Sequence, residues 1–206
     1  MALPLTYSVA TSQVSFGFKV GYTPDVRPGT AQRIINRSSR STEFHFNSLQ
    51  RQYTPAFGIM VRQGSKPFWF STEILAQGWT ETYSMAYEAD KNVKPPTVME
   101  EKNFVLEMPV SVGVSLGKIE VFSGLSISQS LSHKTEMSDI PSYTSELPKR
   151  TGGWHTGVGI NLGNVLLDVR YSQAFDNYGQ HRYINGEELT LGNAPHRLLA
   201  TVTYRF

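Results

Sequence analysis

Cysteine is absent from the 206 residues. That excludes a disulfide scaffold, a zinc ribbon and a thiol nucleophile. Charge is scarce: Asp, Glu, Lys and Arg together make 17% of the chain, against about 25% in an average soluble domain. The charge present nearly cancels, with 19 basic and 17 acidic residues, so no basic field argues for nucleic acid. No run of 18 apolar residues occurs. A transmembrane helix is thereby excluded, but barrel strands are not, because their hydropathy signal is much weaker.

What the chain has instead is aromatics, at 12%, and a period of two. Val14 to Tyr22, Phe104 to Leu116, Val165 to Tyr171 and Leu198 to Phe206 alternate large apolar residues with mostly small or charged ones, Leu166 and Leu199 being the exceptions. Such alternation predicts strands with two chemically different faces. Eight segments qualify, at roughly 13–22, 53–63, 68–80, 103–116, 119–130, 153–162, 165–175 and 196–206. Most are long for a sandwich strand, whose usual length is about 5–6 residues. They fit the roughly 9–11 residues a tilted strand needs to cross a bilayer. Residues 1–12 read as an N-terminal extension or the remnant of a signal peptide, and 13–206 as one barrel domain.

Connections alternate in length. Gly64-Ser65-Lys66-Pro67, Gly117-Lys118 and Gly163-Asn164 read as tight turns with glycine supplying positive φ. Between them lie long polar connections at 23–52, 81–102, 131–152 and 176–195. Short turns on one side and long loops on the other predict an eight-stranded antiparallel up-and-down transmembrane β-barrel, with periplasmic turns and extracellular loops.

The face opposite the large apolar residues carries Gly17, Gly21, Gly58, Gly113, Gly124, Gly157 and Gly159. It also carries Lys19, Arg62, Glu73, Glu107, Glu120, Asp168, Arg170, Arg197 and Arg205. Small residues interleaved with charges of both signs suit the narrow interior of an eight-stranded barrel, where an unpaired charge would be costly. A soluble lipocalin-like carrier would invert this, with the apolar face inside around a ligand. Aromatics gather at the strand ends of the apolar face, as two membrane interfaces require. Pro109 falls inside a predicted strand and predicts a local bulge.

The stretch Phe104-Val105-Leu106-Glu107-Met108-Pro109-Val110 resembles the PorT-type outer-membrane β-barrel family of Bacteroidetes. So does Gly157-Val158-Gly159-Ile160-Asn161-Leu162-Gly163-Asn164 running into Leu167-Asp168-Val169-Arg170-Tyr171-Ser172. The resemblance implies a barrel in the bacterial outer membrane. It also implies an accessory role in a secretion or surface-assembly complex. Tyr204 and Phe206 resemble the C-terminal aromatic signal read by barrel-assembly machinery.

Candidate chemistry is sparse. His45, His133, His155, His181 and His196 show no metal-ligand spacing, so no metal and no cofactor is expected. Ser132, His133 and Glu136 lie close together on a predicted loop and keep open an enzyme acting on lipid or lipopolysaccharide. Arg27, Arg33, Arg37 and Arg40, with Arg51, could meet lipopolysaccharide phosphates or an acidic partner. The neighbouring acidic loop, with Glu81, Glu88, Asp90, Glu100 and Glu101, could instead pair with this basic one. The expectation is a non-enzymatic structural or accessory barrel in contact with outer-membrane lipid and lipopolysaccharide, with a filled lumen that conducts little.

Overall fold

A computed structural model describes residues 13–25, 31–35, 42–89, 92–93, 95–140, 143–145, 149–175, 182–184, 187–188 and 196–206. The strands are β1 (Gln13–Tyr22), β2 (Ala31–Ile35), β3 (Thr42–Tyr53), β4 (Ala56–Ser65), β5 (Phe68–Ala89), β6 (Asn92–Val93) and β7 (Thr97–Leu116). They continue as β8 (Ile119–Thr135), β9 (Tyr143–Ser145), β10 (Arg150–Leu162), β11 (Val165–Ala174), β12 (Arg182–Ile184), β13 (Glu187–Glu188) and β14 (His196–Arg205). Eight of them close an antiparallel ring in the order β1, β4, β5, β7, β8, β10, β11, β14 and back to β1. These are the eight segments whose alternation predicted strands. The predicted extension at 1–12 lies outside the described residues.

The pleat sorts the side chains. Outward-facing Val14, Phe16, Phe18, Val20 and Tyr22 on β1 are all exposed, and large apolar side chains are exposed on each of the other seven ring strands. Inward-facing Lys19, Arg62, Glu73, Glu107, Glu120, Asp168 and Arg170 are buried. Exposed aromatics stand near both rims: Phe16, Phe18, Phe68, Tyr204 and Phe206 toward the turns, and Tyr22, Phe57, Phe104 and Phe175 toward the other end.

Two of the three tight turns use glycine as expected, with φ of 68° at Gly117 and 79° at Gly163. That region is open to glycine without a steric penalty. The third differs. Gly64 sits within β4, and Lys66-Pro67, joined by a cis peptide bond, makes the turn.

The long connections differ more. Much of 81–102 is ladder, because β5 runs to Ala89 and β7 starts at Thr97. The first connection holds β2 and β3, and β3 pairs with the upper half of β5. β8 reaches Thr135 and passes into a 3-10 turn at Glu136–Asp139, where the Thr135 hydroxyl accepts from the Met137 N–H. β9, β12 and β13 form a separate three-stranded sheet. Alternation was hidden here because both faces carry polar residues, as in Thr80-Glu81-Thr82-Tyr83-Ser84. The strands rise beyond the ring on one side and pack a small core of Phe46, Tyr83, Met137 and Ile140.

Pro109 makes no bulge. It pairs in register with Ser126 on β8, while toward β5 the ladder skips from Thr72–Val110 to Leu75–Glu107 without a shift. A proline cannot donate to that ladder, and the gap is the result. The bulge lies higher, where Leu131 is the extra residue of β8 between Val105–Ser130 and Phe104–Ser132.

The lumen is filled by large inward rings set against glycine. A Cβ at Gly113 would fall on the Trp69 indole, and one at Gly157 on the Phe122 ring. Gly113→Val should therefore overpack the lumen and cost about 1–3 kcal/mol. Urea unfolding of the barrel in lipid vesicles measures this. Combining it with Trp69→Ala should cost less than the sum of the two single changes, because the ring that clashes is gone.

Candidate functional site

Alternation that turns charge inward also stacks it in layers, because each inward residue has a neighbour across every ladder. At the turn end, the Arg62 guanidinium grips Glu120 with both Nη atoms, at 2.7 and 3.0 Å. It also lies over the Trp69 ring, 4.0 Å from its centre, a favourable cation–π placement. Asn161 donates to the same carboxylate at 2.8 Å and accepts from Arg205 at 2.6 Å.

The next layer is the densest. Lys19 Nζ lies 2.9 Å from Glu73 and 3.3 Å from Asp168. Arg170 Nη2 donates to the same Glu73 oxygen at 2.8 Å, and Thr201 donates to Asp168 at 2.5 Å. Arg170 also faces the Phe122 ring at 5.4 Å. Above it, Arg197 pairs with Glu107 and donates to Gln77 at 2.8 Å. Gln77 passes the contact to Thr23 at 3.0 Å. Ser111 and His155 are hydrogen-bonded at 2.8 Å, and the His155 side chain is fully buried.

All nine charged residues predicted to face inward thus meet inside the ring. Trp69, Gln77, Ser111, His155 and Asn161 were not anticipated. Their parity was legible, since each falls on the same face of its strand as Glu73, Glu107 or Gly159. They lacked a formal charge to draw notice.

Beyond the ring, Arg51 holds Glu81 at 2.8 Å, and Ser48 donates to Glu81 at 3.1 Å. The basic and acidic connections therefore pair at this point. Burial alone would lower the Arg51 pKa. The Glu81 carboxylate beside it outweighs that, and Tyr53 adds to it, so the net direction is up.

The cluster Ser132, His133 and Glu136 does not converge. Ser132 is exposed, and Glu136 accepts from the Glu100 backbone N–H at 2.9 Å. The Leu131 bulge reverses the inward parity of β8, so His133 turns in and meets Glu101 at 3.2 Å. Asn103 donates to that carboxylate, also at 3.2 Å.

Of the predicted lipopolysaccharide contacts, Arg27, Arg37 and Arg40 lie outside the described residues. Arg33 lies on β2, paired in register with His45. Tyr204 and Phe206 face outward and are more than half exposed. The Phe206 N–H donates to Phe16 O at 3.0 Å, and its ring sits 5.7 Å from that of Phe18. Among the described residues no cluster of His, Asp and Glu is arranged to hold a metal ion.

No protein-family model matches the chain, and no curated protein matches it. Among solved structures it is similar to LpxR from Salmonella typhimurium, with 8% identity over 93% of this chain and 100% of that one, and a TM-score of 0.34. Against this finding the expectation that this chain is no enzyme is corrected, because a barrel fold is no ground for excluding catalysis. At that TM-score the likeness carries no argument for an activity, a substrate or a site.

Removing one member of a buried charge cluster strands the others. Glu73→Gln leaves Lys19 and Arg170 facing each other with less compensation, and should destabilise the barrel by about 3–5 kcal/mol. The exposed pair Lys102–Glu100, at 3.1 Å, is the control, and Glu100→Gln should cost about 0–1 kcal/mol. Equilibrium unfolding in lipid vesicles compares the two. Equal losses would show that the lumen pairs are not coupled.

Proposed function

We propose that this chain is an integral protein of a bacterial outer membrane that crosses the bilayer with its eight ring strands and works through its loop end. The observation that carries the reading is inverted polarity on a closed ring. Exposed Val, Ile, Leu and Phe encircle all eight strands, while Lys, Arg, Asp and Glu fill the inside. The largest apolar patch on a typical soluble monomer is about 300–600 Å², and a belt around a whole barrel needs lipid to cover it. A soluble carrier needs an apolar cavity, and the charged lumen offers none.

Placement follows from the ends. The tight turns face the periplasm and the extended strands face outward, as in barrels of this membrane. The lumen is stoppered by its ion pairs, so the barrel does not conduct. Recognition falls to the loop end, where β3, β5, β7 and β8 rise on one side of the ring over the core of Phe46, Tyr83, Met137 and Ile140. That wall suits docking to a larger surface-assembly or secretion complex, in keeping with the PorT-type resemblance. Lipid and lipopolysaccharide contact the outer wall. The Tyr204 and Phe206 end serves as the handle for barrel-assembly machinery.

A second reading is favoured by one observation. His133 lies 3.2 Å from the Glu101 carboxylate, to which Asn103 donates, all at the loop end. That arrangement can accept a proton from water or a hydroxyl, and lipopolysaccharide is the substrate class within reach.

Two measurements test these readings. The protein should stay with the outer-membrane fraction through alkaline washing, need detergent for release, and give no porin-sized current in planar bilayers. Release without detergent would end the membrane reading, and a large current would end the stoppered one. For the second reading, incubation with lipopolysaccharide should change its mass spectrum, and His133→Gln should slow that change by about 10²–10⁴-fold. Unaltered lipopolysaccharide, or a His133→Gln variant as active as the parent, would retire it.

A further inference from the structure

The turn end of the barrel opens into a cavity of about 770 Å³, with Arg62, Trp69, Ser115, Asn161, Arg205 and Phe206 on its walls. Its side-chain charge does not balance. Elsewhere in the ring each cation meets a carboxylate: Lys19 and Arg170 share Glu73 and Asp168, and Arg197 has Glu107. Here two guanidiniums share one carboxylate. Arg62 takes Glu120 with both Nη atoms, so Arg205 reaches that charge only through Asn161. Arg205 makes its remaining contact with the Gly163 carbonyl at 2.5 Å. Among the described residues no carboxylate side chain pairs with it. Both of these contacts use Nη2, which leaves Nε and Nη1 for a partner. Lys66 on the rim adds a second positive charge.

We infer that this cavity is a binding site for a single anionic group, a phosphate or carboxylate, held by Arg205 and approached past Lys66. A guanidinium presents donors in a planar fork that fits either group. A half-enclosed site strengthens such a bond, since less water competes. Arg62 is pinned by Glu120 and stays with it, so its part is to keep the local potential positive. The ligand is an anion entering from the turn side, either free in solution or as the headgroup of a lipid. The inference stands on the cavity and its charge, and does not depend on the membrane placement.

Trp69 gives a native reporter, because it lies in the cavity wall beneath Arg62. The full chain in a neutral detergent, carrying Trp79→Phe and Trp154→Phe, has Trp69 as its one indole. Its emission is followed during titration with inorganic phosphate at constant ionic strength set by sodium chloride. A second series uses micelles doped with phosphatidylglycerol. A saturable change with phosphate marks a free anion, and one only with phosphatidylglycerol marks a lipid headgroup; either supports the site. Arg205→Gln should weaken the response by about 10–100-fold, the value of a charge-assisted hydrogen bond. Lys102→Gln, in an exposed pair at the other end of the barrel, should leave it unchanged. Ser15→Asp, which brings an internal carboxylate to the same cavity, should abolish it while keeping Arg205, and so serves if Arg205→Gln fails to fold. No saturable change in either series would overturn the inference. So would an equal change with sodium chloride alone, or a response that survives both Arg205→Gln and Ser15→Asp.

Discussion

A ring of eight strands is narrow, and that width governs the rest of this molecule. Every second residue of each strand points into a space that side chains must largely fill. Apolar filling would have made an ordinary core. Here the outer face took the apolar residues, so the filling is ionic, and ions in a confined space have to pair. The pairs are therefore cross-lumen ties between strands that are not neighbours in the ladder. Lys19 on β1, Glu73 on β5 and Arg170 on β11 join three sides of the ring at one carboxylate oxygen. Glycine is the other half of the solution. Gly113 and Gly157 leave room for Trp69 and Phe122, whose rings in turn lie under Arg62 and Arg170.

Much of this was legible in the sequence, because period-two alternation is a local signal and survives wherever the two faces meet different surroundings. β1, β11 and β14 could be read almost to the residue for that reason. The inward charges followed from parity alone. The signal failed above the ring. There both faces of β5 and β7 carry polar residues, nothing distinguishes in from out, and strands looked like loops. The Arg51–Glu81 pair was visible only as two loops of opposite sign.

Two other features escaped because they depend on tertiary register. Pro109 announced a disturbance, but whether a lost donor produces a bulge or a gap depends on which neighbour it faces. It faces β5, and the partner ladder skips without shifting. The Leu131 bulge had no flag of its own, yet it decides where His133 points. In the sequence, Ser132, His133 and Glu136 looked like one cluster. One inserted residue broke that grouping and brought His133 to Glu101, thirty-two positions away in the chain.

The pairing of β1 with β14 has a consequence for biogenesis. It is the seam of the ring, and it joins the first and last of the ring strands: Gly17 lies beside Arg205 and Tyr22 beside Ala200. Until β14 arrives, β1 presents an unpaired edge, and so does β11. Open edges of this kind recruit other strands, and contacts so distant in sequence form late because loop closure must come first. The same late strand delivers Thr201 to Asp168, Arg197 to Glu107 and Arg205 to Asn161. Sealing the wall and giving the buried Glu107 its cation are thus a single event. A nascent sheet lacking β14 is sticky at its edges and leaves Glu107 without its cation, and it needs shelter until that last strand docks.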